Sequence, residues 1–320
     1  MKTYGVGIIG LGIMGTRMLG TITQHPQFHI AGVWDPSASQ ALEATKSFTE
    51  ATLVDSAAML IASDDSDLIY IACPPKFHAE YAQAAIAAGK PMLCEKPLGV
   101  DLAESRALVT AVEAAGLPNA VNFTQACSPA LTTVQERIAS GATGTVLGAD
   151  IIVHFNQWPR DWQVDADWLR FRDQGGFTRE VFSHYVFLME RLFGRAELKS
   201  ADAHYPADPA LCESSMYARF DCNGVAVNFL GTVGGAGIER VEATVWGDRQ
   251  SLRIQDWVNL FESNGGAWTP SLPDIADPRR EGASRQLSNV AAMLEGKDHL
   301  MPSFHDALCV QEHIEAMLSD

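Results

Sequence analysis

Three groups of residues in this chain have types and spacings that can do chemistry. Lys96, in the tripeptide Glu95-Lys96-Pro97, carries an ammonium that can bind a hydroxyl and stabilise negative charge developing on its oxygen. Pro97 fixes its own φ and pushes Lys96 toward extended backbone, which restricts how the lysine leaves its loop. Glu180 and His184 stand four residues apart in a helix-like run, on one stripe shared with Phe187 and Arg191. A buried carboxylate beside an imidazole orients it for proton removal from an alcohol, and an ordinary histidine titrates near ~6.5, which suits that task. By residue type alone Lys96 also reads as a solvated surface lysine, and Glu180 as a structural partner of His184 or Arg191. The third group is Gly10-Leu11-Gly12-Ile13-Met14-Gly15, at the end of a strand-like run from Tyr4 to Ile9.

The glycine turn predicts a dinucleotide site. Gly10 permits a tight turn, Gly12 lets the backbone approach a pyrophosphate, and Gly15 lets the following helix pack close to the strand. The pyrophosphate then meets the first amides of that helix, Ile13 and Met14 included. Asp35 lies 20 residues beyond Gly15, at the end of the second strand-like run. A carboxylate there accepts hydrogen bonds from ribose hydroxyls and repels a 2′-phosphate. No arginine follows closely, so NAD(H) is favoured over NADP(H). The alternative is a purely structural turn with Asp35 as a surface loop acid. Pro74 and Pro75 follow the next strand, with Pro75 placed near the nicotinamide ribose; Pro74, Glu95 and Lys96 are further candidate cofactor contacts. His78 reads either as a helix cap or as a cofactor neighbour.

The elements that must position these groups follow from periodicity. Up to Phe123 short apolar runs alternate with helical ones. Val6–Ile9, His29–Trp34, Leu68–Ala72, Pro91–Cys94 and Asn119–Phe123 predict buried strands; 13–23, 37–46, 78–88 and 102–115 predict helices. Strand–helix alternation predicts a Rossmann-type, doubly wound parallel sheet of α/β class. After a helix at 128–139 the pattern changes to longer alternating strands at 146–155, 214–221, 225–231 and 239–246, with Asn223-Gly224 as a hairpin turn. A helix at 177–193, apolar nearly all round, predicts burial. Two more, near 283–294 and 305–318, close the α+β second part, and 264–280 reads as a long loop. The predicted division is 1–122 for the nucleotide and 123–320 for substrate binding and assembly. The segment 156–172 holds three tryptophans and several charges; Asn156, Trp162 and Arg170 are the candidate substrate contacts, and the tryptophans read equally as a sugar-stacking wall or as loop packing.

The formal net charge of −16 argues against a nucleic-acid partner, which needs clustered Lys and Arg, and against an anionic membrane surface. No apolar run reaches the ~20 residues that span a bilayer. The six cysteines, at 73, 94, 127, 212, 222 and 309, form no CxxC pair and read as reduced cytoplasmic thiols. No histidine or cysteine cluster reads as a metal site.

Together the glycine turn, Pro74-Pro75-x-x-His78, Glu95-Lys96-Pro97 and the Gly175-Gly176 doublet leading to His184 resemble the Gfo/Idh/MocA oxidoreductases, over almost the whole chain. The resemblance implies a Rossmann domain followed by an open-faced, mostly antiparallel sheet that commonly forms the oligomer interface, here a homodimer or homotetramer. It implies that Lys96 and His184 are catalytic, with His184 transferring the proton, and that the substrate is a sugar, cyclic polyol or related small molecule. Three positions depart from the family pattern: Glu180 stands where aspartate is usual, Phe182 where glycine is common, and Phe187 where an acid is common. The two phenylalanines predict a tighter, less polar pocket. A non-catalytic dinucleotide or sugar sensor on the same fold is the rival reading. The Gly-x-Gly-x-Met-Gly wording also resembles β-hydroxyacid dehydrogenases, which would require a mainly helical second half.

Overall fold

In the computed structural model, which describes residues 2–272 and 274–319, the glycine-punctuated runs of the first third become five parallel strands. They are β1 (Tyr4–Ile9), β2 (Phe28–Trp34), β3 (Leu68–Ile71), β4 (Met92–Cys94) and β5 (Asn119–Val121), in the order β2-β1-β3-β4-β5. β1, β3 and β4 are buried at every residue, as expected for a parallel sheet covered on both faces. The helices between them are α1 (Ile13–Ile22), α2 (Ala38–Ser47), α3 (Ala57–Ala62), α4 (His78–Ala87) and α5 (Leu102–Ala115). Ser37, Ser56 and Asp101 cap α2, α3 and α5 with their side chains, and Gly116 ends α5 in the left-handed region. The strand order reverses between β1 and β3, so the carboxyl ends of these two strands open a crevice of the kind that binds ligands in such sheets.

The chain divides into two compact units. The first comprises residues up to Phe123 together with Ala283–Cys309; the second comprises Thr124–Gly282 and the segment from Val310 onward. The returning segment of the first unit covers β5: Val121 N donates to Pro302 O at 2.9 Å, Phe304 N to Asn119 Oδ1 at 2.8 Å, and Gln286 Nε2 to Asn122 Oδ1 at 2.6 Å.

The second unit opens with α6 (Pro129–Ala139) and β6 (Val146–Phe155). A single π-helical turn, Thr178–Phe182, then leads into α7 (Ser183–Phe193). Seven strands follow: β7 (Ala196–His204), β8 (Ser215–Cys222), β9 (Val225–Val233), β10 (Arg240–Gly247), β11 (Ser251–Gln255), β12 (Asn259–Ser263) and β13 (Thr269–Pro270). With β6 they form one sheet in the order β13-β12-β11-β10-β6-β9-β8-β7, antiparallel except where β6 pairs with β9. The alternative with a mainly helical second half is overturned by these eight strands. Ala149, Ile151, Val153 and Phe155 of β6 face the core, whereas Gly148, Asp150 and Ile152 alternate with them on the other, less buried face. Polar ladders run across that open face: Trp246 Nε1 and Asn228 Nδ2 both donate to Asp150, at 2.7 and 2.9 Å. Asn223 and Gly224 both have positive φ, as a two-residue hairpin turn requires.

Several elements differ from the sequence expectation. β7 and β12 carry no strong alternation, β11 alternates but over only five residues, and α3 is only six residues long, too few to declare a period. The stretch read as a long loop holds β13 and the start of α8 (Pro278–Leu294); its Pro273 lies outside the described residues. α9 (Phe304–Leu318) closes the chain. Among the described residues no helix is long and apolar enough to cross a membrane.

Candidate active site

The nucleotide half of the candidate site lies at the carboxyl ends of β1 and β3. Gly10 has φ +97°, and a Cβ there would meet the Ala72–Cys73 backbone at 2.7 Å. At Gly12 a Cβ would meet nothing within 4 Å, so the turn presents open space where a phosphate group needs close approach to backbone. A Cβ at Gly15 would fall 2.0 Å from the Gly10 carbonyl oxygen, so that glycine is required for packing the helix onto the turn. α1 begins without a side-chain cap and without an acid in its first turn, which leaves the helix terminus suited to an anion. Ile13 and Met14, at its start, are half-buried. These residues fit a dinucleotide pyrophosphate.

Asp35 follows β2, and its carboxylate ties two segments together. Oδ2 accepts from Leu11 N and Oδ1 from Ser37 N, each at 2.7 Å. Each oxygen has a second lone pair with which to accept from a ribose hydroxyl. Pro74 is half-buried and Pro75 buried in the turn after β3. His78 has no face open to a ligand. It is fully buried, with Nδ1 2.9 Å from Pro97 O and Nε2 2.8 Å from Cys73 O. Burial pushes its pKa down against the pull of the Cys73, Pro97 and Leu98 carbonyls. The ring therefore clasps the loop after β3 to the loop that carries Lys96, a role between the two expected ones.

Glu95 and Lys96 are 5% and 8% exposed, which excludes the solvated-lysine reading. The Glu95 carboxylate is buried and bonded within the first unit. Tyr70 Oη and Asn122 Nδ2 both donate to Glu95 Oε1, and Gln286 Nε2 secures Asn122 from the returning segment. Burial and the adjacent carboxylate hold the Tyr70 phenol well above its ordinary range. Glu95 thus anchors the loop from within. Sequence reasoning missed Tyr70, Asn122 and Gln286 because their partners are 25 to 164 residues distant.

The second unit carries the carboxylate–histidine pair. Glu180 lies in the π-helical turn and is half-buried; His184 lies in the first turn of α7 and is 5% exposed. Such π-turns recur at functional sites. The helix start has no local cap; instead Glu213, 2% exposed, accepts from Thr178 N at 2.7 Å through Oε1. Gly176, at φ +104°, makes room for it: a Cβ there would come within 2.6 Å of Glu213 Oε2. Next to it Arg179 donates Nε and Nη2 to Glu315 at 2.6 and 2.7 Å, and Nη1 to the Arg172 and Gly175 carbonyls.

Phe182 lines no pocket. It is fully buried between Phe177 and Phe229, over Gly231, in an aromatic chain that runs from Phe155 through Trp158 to Phe220. Its absent glycine is compensated by Gly231 beneath the ring. Phe187 is also buried, with Arg191 over its ring at 5.0 Å. Two of the three tryptophans differ in their surroundings. Trp158 packs on Phe155 and Phe177 and donates Nε1 to Leu169 O, whereas Trp162 is 44% exposed and stacks on Arg160 at 4.6 Å. Asn156 and Arg170 are exposed, and Arg170 pairs with Asp167 at 3.3 Å.

A parallel sheet with a glycine-turn cradle and an acid after its second strand defines the class of dinucleotide-binding proteins. Residues 4–123 match the oxidoreductase family with an NAD-binding Rossmann fold, GFO_IDH_MocA. It is 30% identical over 148 residues to the inositol 2-dehydrogenase of Corynebacterium glutamicum (strain R), across 46% of this chain and 44% of that one. It is 27% identical over 205 residues to the levoglucosan dehydrogenase of Pseudarthrobacter phenanthrenivorans, across 61% of this chain and 52% of that one. The chain thus spans about half the length of these curated relatives. The fold matches the solved structure of a levoglucosan dehydrogenase in complex with NADH and L-sorbose, with a TM-score of 0.86, at 21% identity over 99% of this chain and 96% of that one.

Proposed function

We propose that the chain is an NAD(H)-dependent dehydrogenase or reductase acting on a carbinol or carbonyl carbon of a sugar, cyclic polyol or related small molecule. The observation that carries this reading is the burial of Lys96 in an NAD-family sheet, at the carboxyl end of β4, on a loop fixed by Glu95 from below. NAD(H), when bound, supplies or accepts the hydride; Gly10, Gly12, Gly15 and Asp35 would hold it. In the oxidation direction His184 takes the hydroxyl proton and the Lys96 ammonium stabilises the oxygen. Glu180 orients His184 or a substrate hydroxyl. Residues 1–122 serve the nucleotide and 123–320 the substrate. Asn156, Trp162 and Arg170 are the proposed substrate contacts, in keeping with their exposure.

The inositol and levoglucosan dehydrogenases named above support the substrate class. The open sheet face, with Tyr217, Leu230 and Trp246 exposed, supports pairing into a homodimer or homotetramer. Six free cysteines support a reducing, cytoplasmic setting. The test is fluorescence titration with NADH and NADPH, followed by a screen of sugars and cyclic polyols. Tighter NADH binding with turnover of a cyclic polyol is expected. NADH binding without turnover of any would favour the sensor, and absence of dinucleotide binding would overturn both readings.

A further inference from the structure

The loop between β11 and β12 holds a conformational oddity beside His184. Gln255 pairs with Asn259, so Asp256, Trp257 and Val258 alone make the turn. Asp256 has φ +51° and Trp257 φ +75°. Aspartate tolerates the left-handed region; a bulky tryptophan there is an outlier, and glycine or asparagine would make this turn with less strain. Such strain persists where the surroundings over-determine it, and it gathers at functional sites.

The surroundings here are specific. Gln125, fully buried, donates Nε2 to the Trp257 carbonyl at 3.1 Å, and its own Oε1 faces Ser128 Oγ at 3.4 Å. Asp256 N donates to Val241 O at 2.9 Å, tying the turn to β10. Thus held, the indole lies 5.4 Å from the His184 ring at 83°, and 5.6 Å from Tyr185 at 33°. Edge-to-face packing at this distance is favourable and directional. His184 and Tyr185 are adjacent in α7, so one indole braces two successive side chains of the helix.

We propose that Trp257 is a positioning residue for His184: its strained turn, pinned by Gln125, holds the indole against the imidazole and fixes the ring for proton transfer. The inference rests on the reading of His184 as the proton-transfer residue. Misplacing a reacting group by a fraction of its contact distance lowers the rate far more than it weakens binding.

The test uses the full chain with Trp257→Phe, Trp257→Asn and Trp257→Ala. Asparagine accommodates the positive φ, so it removes the indole without straining the turn. Trp257→Asn and Trp257→Ala should lower kcat by about tenfold or more, with KM for the polyol and Kd for NADH held within about twofold. Trp257→Phe, which keeps a ring, should recover most of the rate. Independently of activity, the His184 Cε1–H proton resonance, assigned by its loss in His184→Gln, should carry an indole ring-current shift that disappears in Trp257→Asn. Wild-type kcat in Trp257→Asn, or a His184 resonance unmoved by it, would overturn the proposal. If the wild-type protein turns over no polyol, the reading of the reaction fails, and the resonance alone decides whether Trp257 holds the imidazole.

Discussion

The Asp35 carboxylate accepts a 2.7 Å hydrogen bond from the amide of Leu11, so the acid that follows β2 and the glycine turn that follows β1 are one rigid unit before any nucleotide arrives. The ribose acid is therefore also a fold element. Asp35→Ala should raise the NADH Kd by about tenfold and narrow the preference over NADPH. It should also lower stability by about 1–3 kcal/mol, because two amides lose an ionised acceptor. Parallel titrations with both dinucleotides and a urea melt check this.

Gly12 and Gly15 should separate binding from folding. Gly12→Ala places a methyl in open space at a backbone angle alanine adopts freely, so the melting temperature should stay within about two degrees while NADH affinity falls by about tenfold or more. Gly15→Ala drives a methyl into the Gly10 carbonyl, so stability should fall by roughly 1–3 kcal/mol. Scanning calorimetry with an NADH titration on each variant reads both effects.

Glu95 offers a test of the loop anchor. Glu95→Ala leaves the Tyr70 hydroxyl and an Asn122 amide proton buried without their acceptor, at about 1–3 kcal/mol each. Glu95→Gln keeps an acceptor oxygen and should lose less than half as much. Equilibrium urea unfolding of the two variants distinguishes them.

The nucleotide half of the fold was legible in the sequence, and the reasons are local. Each parallel strand there is a short apolar run punctuated by glycine or proline, each helix but the short α3 has a clear period, and the turn chemistry sits between them. The candidate site was legible where its residues share a motif. It was not where they meet across the chain: Tyr70 and Asn122 on Glu95, Glu213 capping the helix of His184, and Trp257 beside the imidazole have no common spacing. The reading of Phe182 as a pocket residue failed because its partners, Phe229 and Gly231, lie on a strand about fifty residues later, and only their packing reveals a core position.

Glu213 gives a pH prediction with a definite sign. Burial holds its carboxyl above the ordinary value of 4.5, so the folded chain binds that proton more tightly than the unfolded one. The stability this proton confers is complete below the ordinary value and is lost as pH rises through the raised one. Glu213→Gln carries a neutral amide at every pH and still presents an oxygen to Thr178 N. Its stability relative to wild type should therefore rise from about pH 4 toward neutrality. A relative stability that falls over that range would contradict the assignment, and urea midpoints of both proteins across the range measure it.

The most direct test of the central claim is initial-rate formation of NADH from NAD and a panel of cyclic polyols and sugars, by the wild-type protein, Lys96→Met and His184→Asn. The account predicts turnover of at least one cyclic substrate by the wild type, and a fall in kcat of about a hundredfold or more in each variant, with NADH affinity nearly unchanged. Wild-type rates from either variant would contradict it.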